Sequence, residues 1–101
     1  MALTTIRATG QLAATVGVIF TATQDCFVNI SLVNTDSVTR AVNLYHNTGT
    51  RRKFLSIDLV TRGNWPASRP YGPLFMKSGD TLDGDAAAAT VVDFVVTGVN
   101  L

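Results

Sequence analysis

Few side chains in this sequence could act as nucleophiles, bases or metal ligands. It has one cysteine, Cys26, and one histidine, His46, and no motif ties either residue to the other or to a serine. Nucleophilic catalysis needs a nucleophile beside a base, and a zinc site needs three or four ligands. We therefore predict no enzyme activity, no cofactor and no metal centre, and interpret His46 as an ordinary residue at the end of a strand.

The densest group of potential ligands is Asp80, Asp83 and Asp85. Calcium takes oxygen ligands from such clusters, but the spacing of an EF-hand is absent and the sequence has no Glu. Asp beside Gly is also common in turns. The sequence leaves calcium binding by these three residues open, beside the simpler interpretation that they form a turn.

The basic run Arg51-Arg52-Lys53 has Phe54 as its aromatic neighbour, and the formal net charge of the chain is +1. Nucleic-acid phosphates bind to a denser positive surface than this. We expect the run to lie on a solvated hairpin rim or at a polar contact with another subunit, and we expect no nucleic-acid partner. No apolar stretch has the length needed to cross a bilayer, so we expect no membrane partner either.

The composition predicts strands joined by turns. Of the 101 residues, 30 are Val, Ile or Thr, and all seven acidic residues are Asp. Branching at Cβ favours extended backbone, whereas Asp favours turns. Hydrophobic residues make up 47% of the chain and charged residues 15%, against about 25% charged in an ordinary soluble domain. We expect other subunits to cover the surplus apolar surface.

Alternation of apolar and polar residues indicates where the strands lie. In residues 26–33 every second residue from Cys26 to Leu32 is apolar, while Asn29 and Ser31 lie between them. This period of two predicts seven or eight strands, and hence an antiparallel β-sandwich of jelly-roll type in a single domain over residues 1–101. The expected inward residues are Val28, Ile30, Leu32, Val42, Leu44, Leu55, Ile57, Leu59, Phe94 and Val96.

Three local predictions accompany this fold. Residues 26–46 are expected to form one β-hairpin, with a turn at residues 34–37. Residues 81–83 are expected to form an edge strand. Residues 62–73 contain three prolines, and proline cannot donate to a sheet ladder, so we expect a long loop there.

Two segments are candidate contact surfaces. A terminal strand is the easiest element to lend to a neighbouring chain, and residues 1–9 carry Leu3 and Ile6. The 62–73 loop carries Trp65, Arg69 and Tyr71, which are residue types enriched at protein interfaces. An equally good interpretation is that Trp65 and Tyr71 cap the end of the core.

The order of several short motifs resembles the small β-sandwich proteins of tailed-phage particles. The motifs are Gly17-Val18-Ile19-Phe20-Thr21-Ala22, Leu32-Val33-Asn34-Thr35-Asp36, Ala41-Val42-Asn43-Leu44-Tyr45, Lys77-Ser78-Gly79-Asp80-Thr81-Leu82 and the valine-rich segment 92–99. The chain differs where Phe20 replaces the usual tyrosine and where Thr23-Gln24 replaces a proline-containing turn.

The resemblance implies a structural role in a virion assembled in the host cytoplasm. The expected protein is a capsid decoration or cement protein, a head-fibre base, or a neck or tail component. Its expected partners are copies of itself, with a homotrimer as the leading form, and the major capsid protein or another virion protein. The resemblance implies no catalytic residue.

A carbohydrate- or receptor-binding module is the alternative, because jelly rolls also host lectins. Trp65 and Tyr71 would then stack on a sugar, with Asp80 or Asp83 holding calcium.

Overall fold

Eight β-strands, and no helix, make up the regular structure of the residues described. The structure is a computed structural model that describes residues 4–60 and 68–101, with the backbone alone for residues 68–70. The strands are β1 (Thr4–Gln11), β2 (Gly17–Thr21), β3 (Cys26–Asn34), β4 (Arg40–Asn47), β5 (Arg51–Leu59), β6 (Ser68–Met76), β7 (Thr81–Ala86) and β8 (Val92–Asn100). The all-β prediction is confirmed, and the described part of the chain holds no helix that could cross a membrane.

The strands form two four-stranded antiparallel sheets. The first sheet has the order β1-β8-β3-β6 and the second has the order β2-β7-β4-β5. The pairs β1–β8, β2–β7, β3–β6 and β4–β5 set the first half of the chain antiparallel to the second half. This nested order is that of a jelly roll, as the sequence predicted.

The core lies between the sheets and contains the residues that alternation placed inward. Burial alternates without a break along β3, from Cys26 to Asn34. Of the predicted inward residues, Leu55 and Ile57 are half-buried against the core and the other eight are buried. Leu12, Met76, Leu82 and Val92 join them and are also buried.

The predicted 26–46 hairpin is wrong. β3 pairs with β6 and β8 in the first sheet, whereas β4 pairs with β5 and β7 in the second. Residues 35–39 therefore carry the chain from one sheet to the other. Alternation shows that a strand is half-buried, but it does not identify the neighbouring strand.

Two other local predictions also need correction. β7 lies between β2 and β4, so residues 81–83 belong to a central strand rather than an edge. Residues 68–73, expected in a loop, belong to β6. Proline is tolerated there because β6 is an edge strand, and Pro73 lies where the register shifts opposite Asn29. The rest of the predicted loop, residues 62–67, lies outside the described residues.

Asn34 links the two sheets, although its sequence context indicated a turn. The side chain is fully buried, and its Nδ2 lies 3.0 Å from the carbonyl oxygens of Val38 and Leu59 and 3.1 Å from that of Val60. Its Oδ1 accepts a hydrogen bond from the amide of Asp36 at 2.9 Å. The end of β3 is thereby bonded to the end of β5 across the sandwich.

Gly98 is a close-packing position that tolerates no side chain. A Cβ atom there would overlap the carbonyl oxygen of Phe27 and lie 2.9 Å from Cα of Val28. We expect Gly98→Ala to lower the free energy of unfolding by about 1–3 kcal/mol, because the paired backbones must move apart. Gly17→Ala is the control, since its Cβ would meet nothing within 4 Å. Urea unfolding measures both, and equal stabilities would contradict the prediction.

Candidate assembly surfaces

Of the predicted contact residues, the structure describes the side chains of Ile6 and Tyr71, and it does not bring these two together. Leu3 and Trp65 lie outside the described residues, as does the side chain of Arg69. Ile6 on β1 is buried in the core, and Tyr71 on β6 packs half-buried against it. Because β1 and β6 are opposite edges of the first sheet, β8 and β3 separate Ile6 from Tyr71.

The N-terminal strand completes the sheet of its own chain. β1 pairs with β8 without interruption, from Thr4 opposite Asn100 to Gln11 opposite Asp93. Lending this strand to a neighbour would break that pairing and expose Ile6. Deletion of the segment would therefore affect folding as well as any contact that the segment makes.

The two side chains best suited to nucleophilic chemistry are held in structural positions. Cys26 is fully buried, and burial raises the pKa of its thiol, with smaller contributions from the charges of Asp25 and Asp80. Nε2 of His46 lies 3.0 Å from Oδ2 of Asp80. A thiol that stays protonated and buried is not an activated nucleophile.

The three clustered carboxylates have separate partners. Asp80 accepts a hydrogen bond from the Lys77 amide at 3.0 Å, and this bond is the main reason that the pKa of Asp80 lies below its usual 3.8. Asp83 and Asp85 belong to the second sheet. Among the residues described, no group of three or more His, Cys, Asp or Glu side chains is arranged to hold a metal ion. Nothing in the described structure therefore favours the calcium-dependent sugar site.

The outer side of the second sheet, which we call the Asp83 face, carries a hydrogen-bonded polar network at its centre. The outward side chains of this face are Val18, Thr21, Ala41, Asn43, Tyr45, Asn47, Arg51, Lys53, Ser56, Asp58, Thr81, Asp83 and Asp85. Asp83 is fully buried at its centre, 2.7 Å from Arg51 Nε and 2.8 Å from Thr81 Oγ1. The central charge of this network, Asp83, is already paired with Arg51 within the chain.

Tyr45 extends the same network. Its hydroxyl donates to Asp85 Oδ2 at 3.2 Å, while Lys53 Nζ lies 5.7 Å from the centre of its ring. Burial, followed by the charge of Asp85, raises the pKa of Tyr45, so the hydroxyl remains a donor. Asn43 Nδ2 also donates to Asp85, at 2.9 Å.

The outer side of the first sheet is different in character, and we call it the Phe27 face. Its outward side chains are Thr5, Arg7, Thr9, Gln11, Phe27, Asn29, Ser31, Val33, Phe75, Asp93, Val95, Thr97 and Val99. Phe27 and Phe75 lie side by side, with ring centres 5.3 Å apart and planes at 59°. Both rings are about 40% exposed, so this end of the sheet presents apolar surface to solvent.

Three of the four sheet edges are interrupted. β2 has five residues and a register shift between Val18 and Phe20. β5 begins with the basic run and bulges at Phe54, and β6 contains two prolines and a bulge. Short strands, bulges, prolines and lysines are the usual means by which proteins prevent pairing between exposed edges.

β1 lacks these interruptions over its described length. Its eight residues pair in continuous register with β8 and include no proline. Leu12 N donates to Val92 O, so the even-numbered residues of β1 point their amides toward β8. The backbone groups of Thr5, Arg7 and Thr9, and of Gln11 at the end of the strand, therefore point toward the open edge.

An apolar cleft runs beside this edge, where β1 and β2 are neighbours in different sheets. Val18, Ile19 and Phe94 line it together with Gly10 and Gly17, and a Cβ atom at Gly10 would lie 2.9 Å from the Phe94 ring. A strand added to β1 would place alternate side chains next to this cleft.

Sequence reasoning missed both the Phe27 face and the open edge. The odd positions of β3 were expected to be polar because of Asn29 and Ser31, yet Phe27 and Val33 share their side. These two apolar residues at odd positions were the available signal. The sequence contained no signal of the open edge, because local alternation does not reveal the order of strands in a sheet.

Arg51 is expected to stabilise the fold by neutralising Asp83. Arg51→Gln leaves a buried carboxylate with weaker donors, so we expect a loss of about 1–3 kcal/mol in the free energy of unfolding. Arg52→Gln is the matched control, because this neighbouring residue makes no ion pair with any of the residues that the structure describes. Chemical denaturation measures both variants, and an equal loss from each would argue against the role of Arg51.

Acid is expected to destabilise the protein partly through Asp80. Its pKa lies below the usual 3.8, so it binds fewer protons in the folded than in the unfolded state near that pH. The stabilisation is complete above 3.8 and is lost as pH falls through the lower folded pKa. In Asp80→Asn, the fall in urea midpoint between about pH 5 and about pH 2 should be shallower than in the wild type. Parallel curves would contradict this.

Comparison with known proteins supports the fold. No protein-family model matches the chain, and no curated protein matches it by sequence. Among solved structures, the chain is similar to a protein of Bacillus endospore appendages, which are described as a novel family of disulfide-linked pili. The match covers 98% of this chain and 86% of the appendage protein, with a TM-score of 0.63 and 19% sequence identity. At this identity the similarity establishes a common fold.

Proposed function

We propose that this protein is a non-enzymatic structural subunit and that its copies associate without covalent links into a larger assembly. The observation that carries the proposal is the open edge of β1, in a protein whose other sheet edges are interrupted. The apolar Phe27 face and the fold similarity to an appendage protein support it.

Strand addition at β1 is the proposed contact. Thr5, Arg7 and Thr9 each offer a backbone donor and acceptor to a strand lying beside them, and each bond made contributes about 0.5–1.5 kcal/mol. Because the other edges are interrupted, the best partner for β1 within this protein is β1 of a second copy. That pairing is two-fold symmetric and joins two first sheets into one eight-stranded sheet.

The proposed association is noncovalent because of the position of Cys26. The similar appendage protein belongs to disulfide-linked pili. Here the sequence contains one cysteine, and its side chain is fully buried. A disulfide between subunits would require Cys26 to leave the core, so backbone pairing and apolar contact must hold this assembly together.

We further propose that the assembly is part of a tailed-phage virion, formed in the host cytoplasm. The sequence resemblance supports a decoration or cement protein bound to the major capsid protein, with a neck or tail component as the alternative. A filament-forming subunit is a second candidate, which the appendage fold favours. Electron microscopy of the concentrated protein distinguishes the virion component from the filament-forming subunit. Closed rings support a virion component, and filaments support a filament-forming subunit.

The number of subunits is open to direct measurement. The phage resemblance implies a trimer, in which β1 would pair with a different edge of the next copy. Pairing of β1 with β1 implies a dimer. Light scattering distinguishes the two masses, and a compact monomer up to millimolar concentration would overturn the proposed function.

Thr9→Pro tests the β1 contact. Its amide points to the open edge, so proline removes a donor from the neighbouring chain while the pairing with β8 is kept. We expect self-association to weaken at least about tenfold, because the two-fold pairing loses one backbone donor from each copy, each worth about 0.5–1.5 kcal/mol. Sedimentation velocity over a concentration series measures this.

Two controls accompany this variant. Thr9→Ala removes the same side chain, keeps the amide and should associate as the wild type does. Ala8→Pro removes an amide that faces β8, so it should lower the stability of the monomer itself. Unchanged association of Thr9→Pro would exclude the β1 edge as the contact.

A further inference from the structure

We propose that the Phe27 face is a second self-contact, in which two copies pack face to face with Val99 of each against Phe27 of the other. This inference rests on the proposed self-association but uses a surface different from the β1 edge. The two contacts can therefore be removed separately.

The Phe27 face is apolar at one end. Register places Val99 directly beside Phe27, and Phe27 directly beside Phe75, so that the three form a row across β8, β3 and β6. The two rings are tilted against each other and remain about 40% exposed. Rings that already support one another lose little rotational freedom on contact, so the row can be buried at low entropic cost.

The remainder of the face is composed mainly of small and uncharged side chains. Asn29, Ser31, Val95 and Thr97 occupy its centre. Such side chains let two sheets approach to about 10 Å with their strands about 30° from parallel, as in the aligned packing of β-sandwiches. The face therefore has the shape and polarity of a surface that packs against another sheet.

A second Phe27 face is the partner that fits best in charge. Among the side chains that the structure describes, the face carries Arg7 on β1 and Asp93 on β8, one charge of each sign. A two-fold axis between β8 and β3 places β1 of one copy over β6 of the other. Arg7 therefore does not face Arg7 of the second copy, and Asp93 does not face Asp93. Asp93 keeps the hydrogen bond that it accepts from Gln11 Nε2 at 3.0 Å.

The Asp83 face is a poorer partner for the same surface. Its outward charges, including Lys53 and Asp58, would lose water on contact with Phe27 and gain no opposite charge there. Its central carboxylate, Asp83, is already paired with Arg51 inside the subunit. Stacking of one face on the other is therefore disfavoured.

The area is sufficient for a weak but specific contact. Four strands about 4.8 Å apart and eight residues of about 3.3 Å give a footprint of about 500 Å² per copy. Two copies would bury about 1,000 Å² in total, which is near the lower limit for a biological interface. The face contact is thus suited to act together with the β1 contact.

Disulfide cross-linking tests the predicted juxtaposition. In full-length protein carrying Cys26→Ala, a Phe27→Cys variant is mixed with a Val99→Cys variant and oxidised. The mixed cross-linked dimer should exceed either homodimer several-fold, because the axis brings residue 27 of one copy against residue 99 of the other. A mixture of Phe54→Cys with Val99→Cys is the control, since Phe54 is as exposed as Phe27, at 41% each. Equal yields in both mixtures would overturn the proposal.

Sedimentation separates this contact from the one at β1. In the Thr9→Pro background, Phe27→Asp should weaken the remaining dimer about 30-fold or more, as expected when a charge replaces an aromatic anchor of an interface, whereas Phe54→Asp should not. Because the Thr9 side chain also lies on the Phe27 face, Thr9→Ala is the reference for its loss. A Thr9→Pro protein that is fully monomeric, beside a Thr9→Ala protein that associates as the wild type does, would overturn the face contact and leave the proposed function intact. A Thr9→Pro protein of wild-type mass that dissociates on Phe27→Asp would support the face contact and contradict the β1 contact.

Discussion

The register of β3 against β8 decides which side chains lie inside the sandwich and which lie on its surface. The two strands pair along nine residues, from Cys26 opposite Asn100 to Asn34 opposite Val92. A slip of one residue would turn every side chain of one strand to the other face. Gly98 supports this pairing because its missing side chain allows the backbone of β3 to approach closely. The same register puts Phe27 next to Val99, so the proposed contact row is a direct consequence of it.

The four sheet edges differ, over their described residues, in how readily each could pair with another strand. A sandwich has four edges, and each is a template for another strand unless something interrupts it. Here bulges, prolines and basic residues interrupt three edges, while β1 remains regular over its described residues. A contact at β1 and a second contact on the Phe27 face would use two different symmetry axes. Two such contacts on one subunit can extend an assembly beyond a dimer, which neither can do alone.

Residues that suggested chemistry serve the fold in this structure. Asp83 is buried with Arg51, and His46 contacts Asp80. A jelly roll hosts many functions, so fold similarity to an appendage protein and sequence resemblance to phage proteins are compatible. The proposed function rests on two local features, the open edge of β1 and the apolar Phe27 face. Both are surfaces on which another chain could bind.

The sequence by itself determined the fold class, because β-branched residues favour strands and alternation along each strand assigns an inward side. It correctly placed Val28, Ile30 and Leu32 in the core from spacing alone. It could not determine that residues 26–46 are divided between two sheets, that β7 is central, or that β6 accommodates two prolines. Those features depend on which strands are neighbours, and neighbours in this fold are up to 96 residues apart in sequence. Only the tertiary structure could decide them, since a strand becomes an edge through pairings that leave no mark on local sequence.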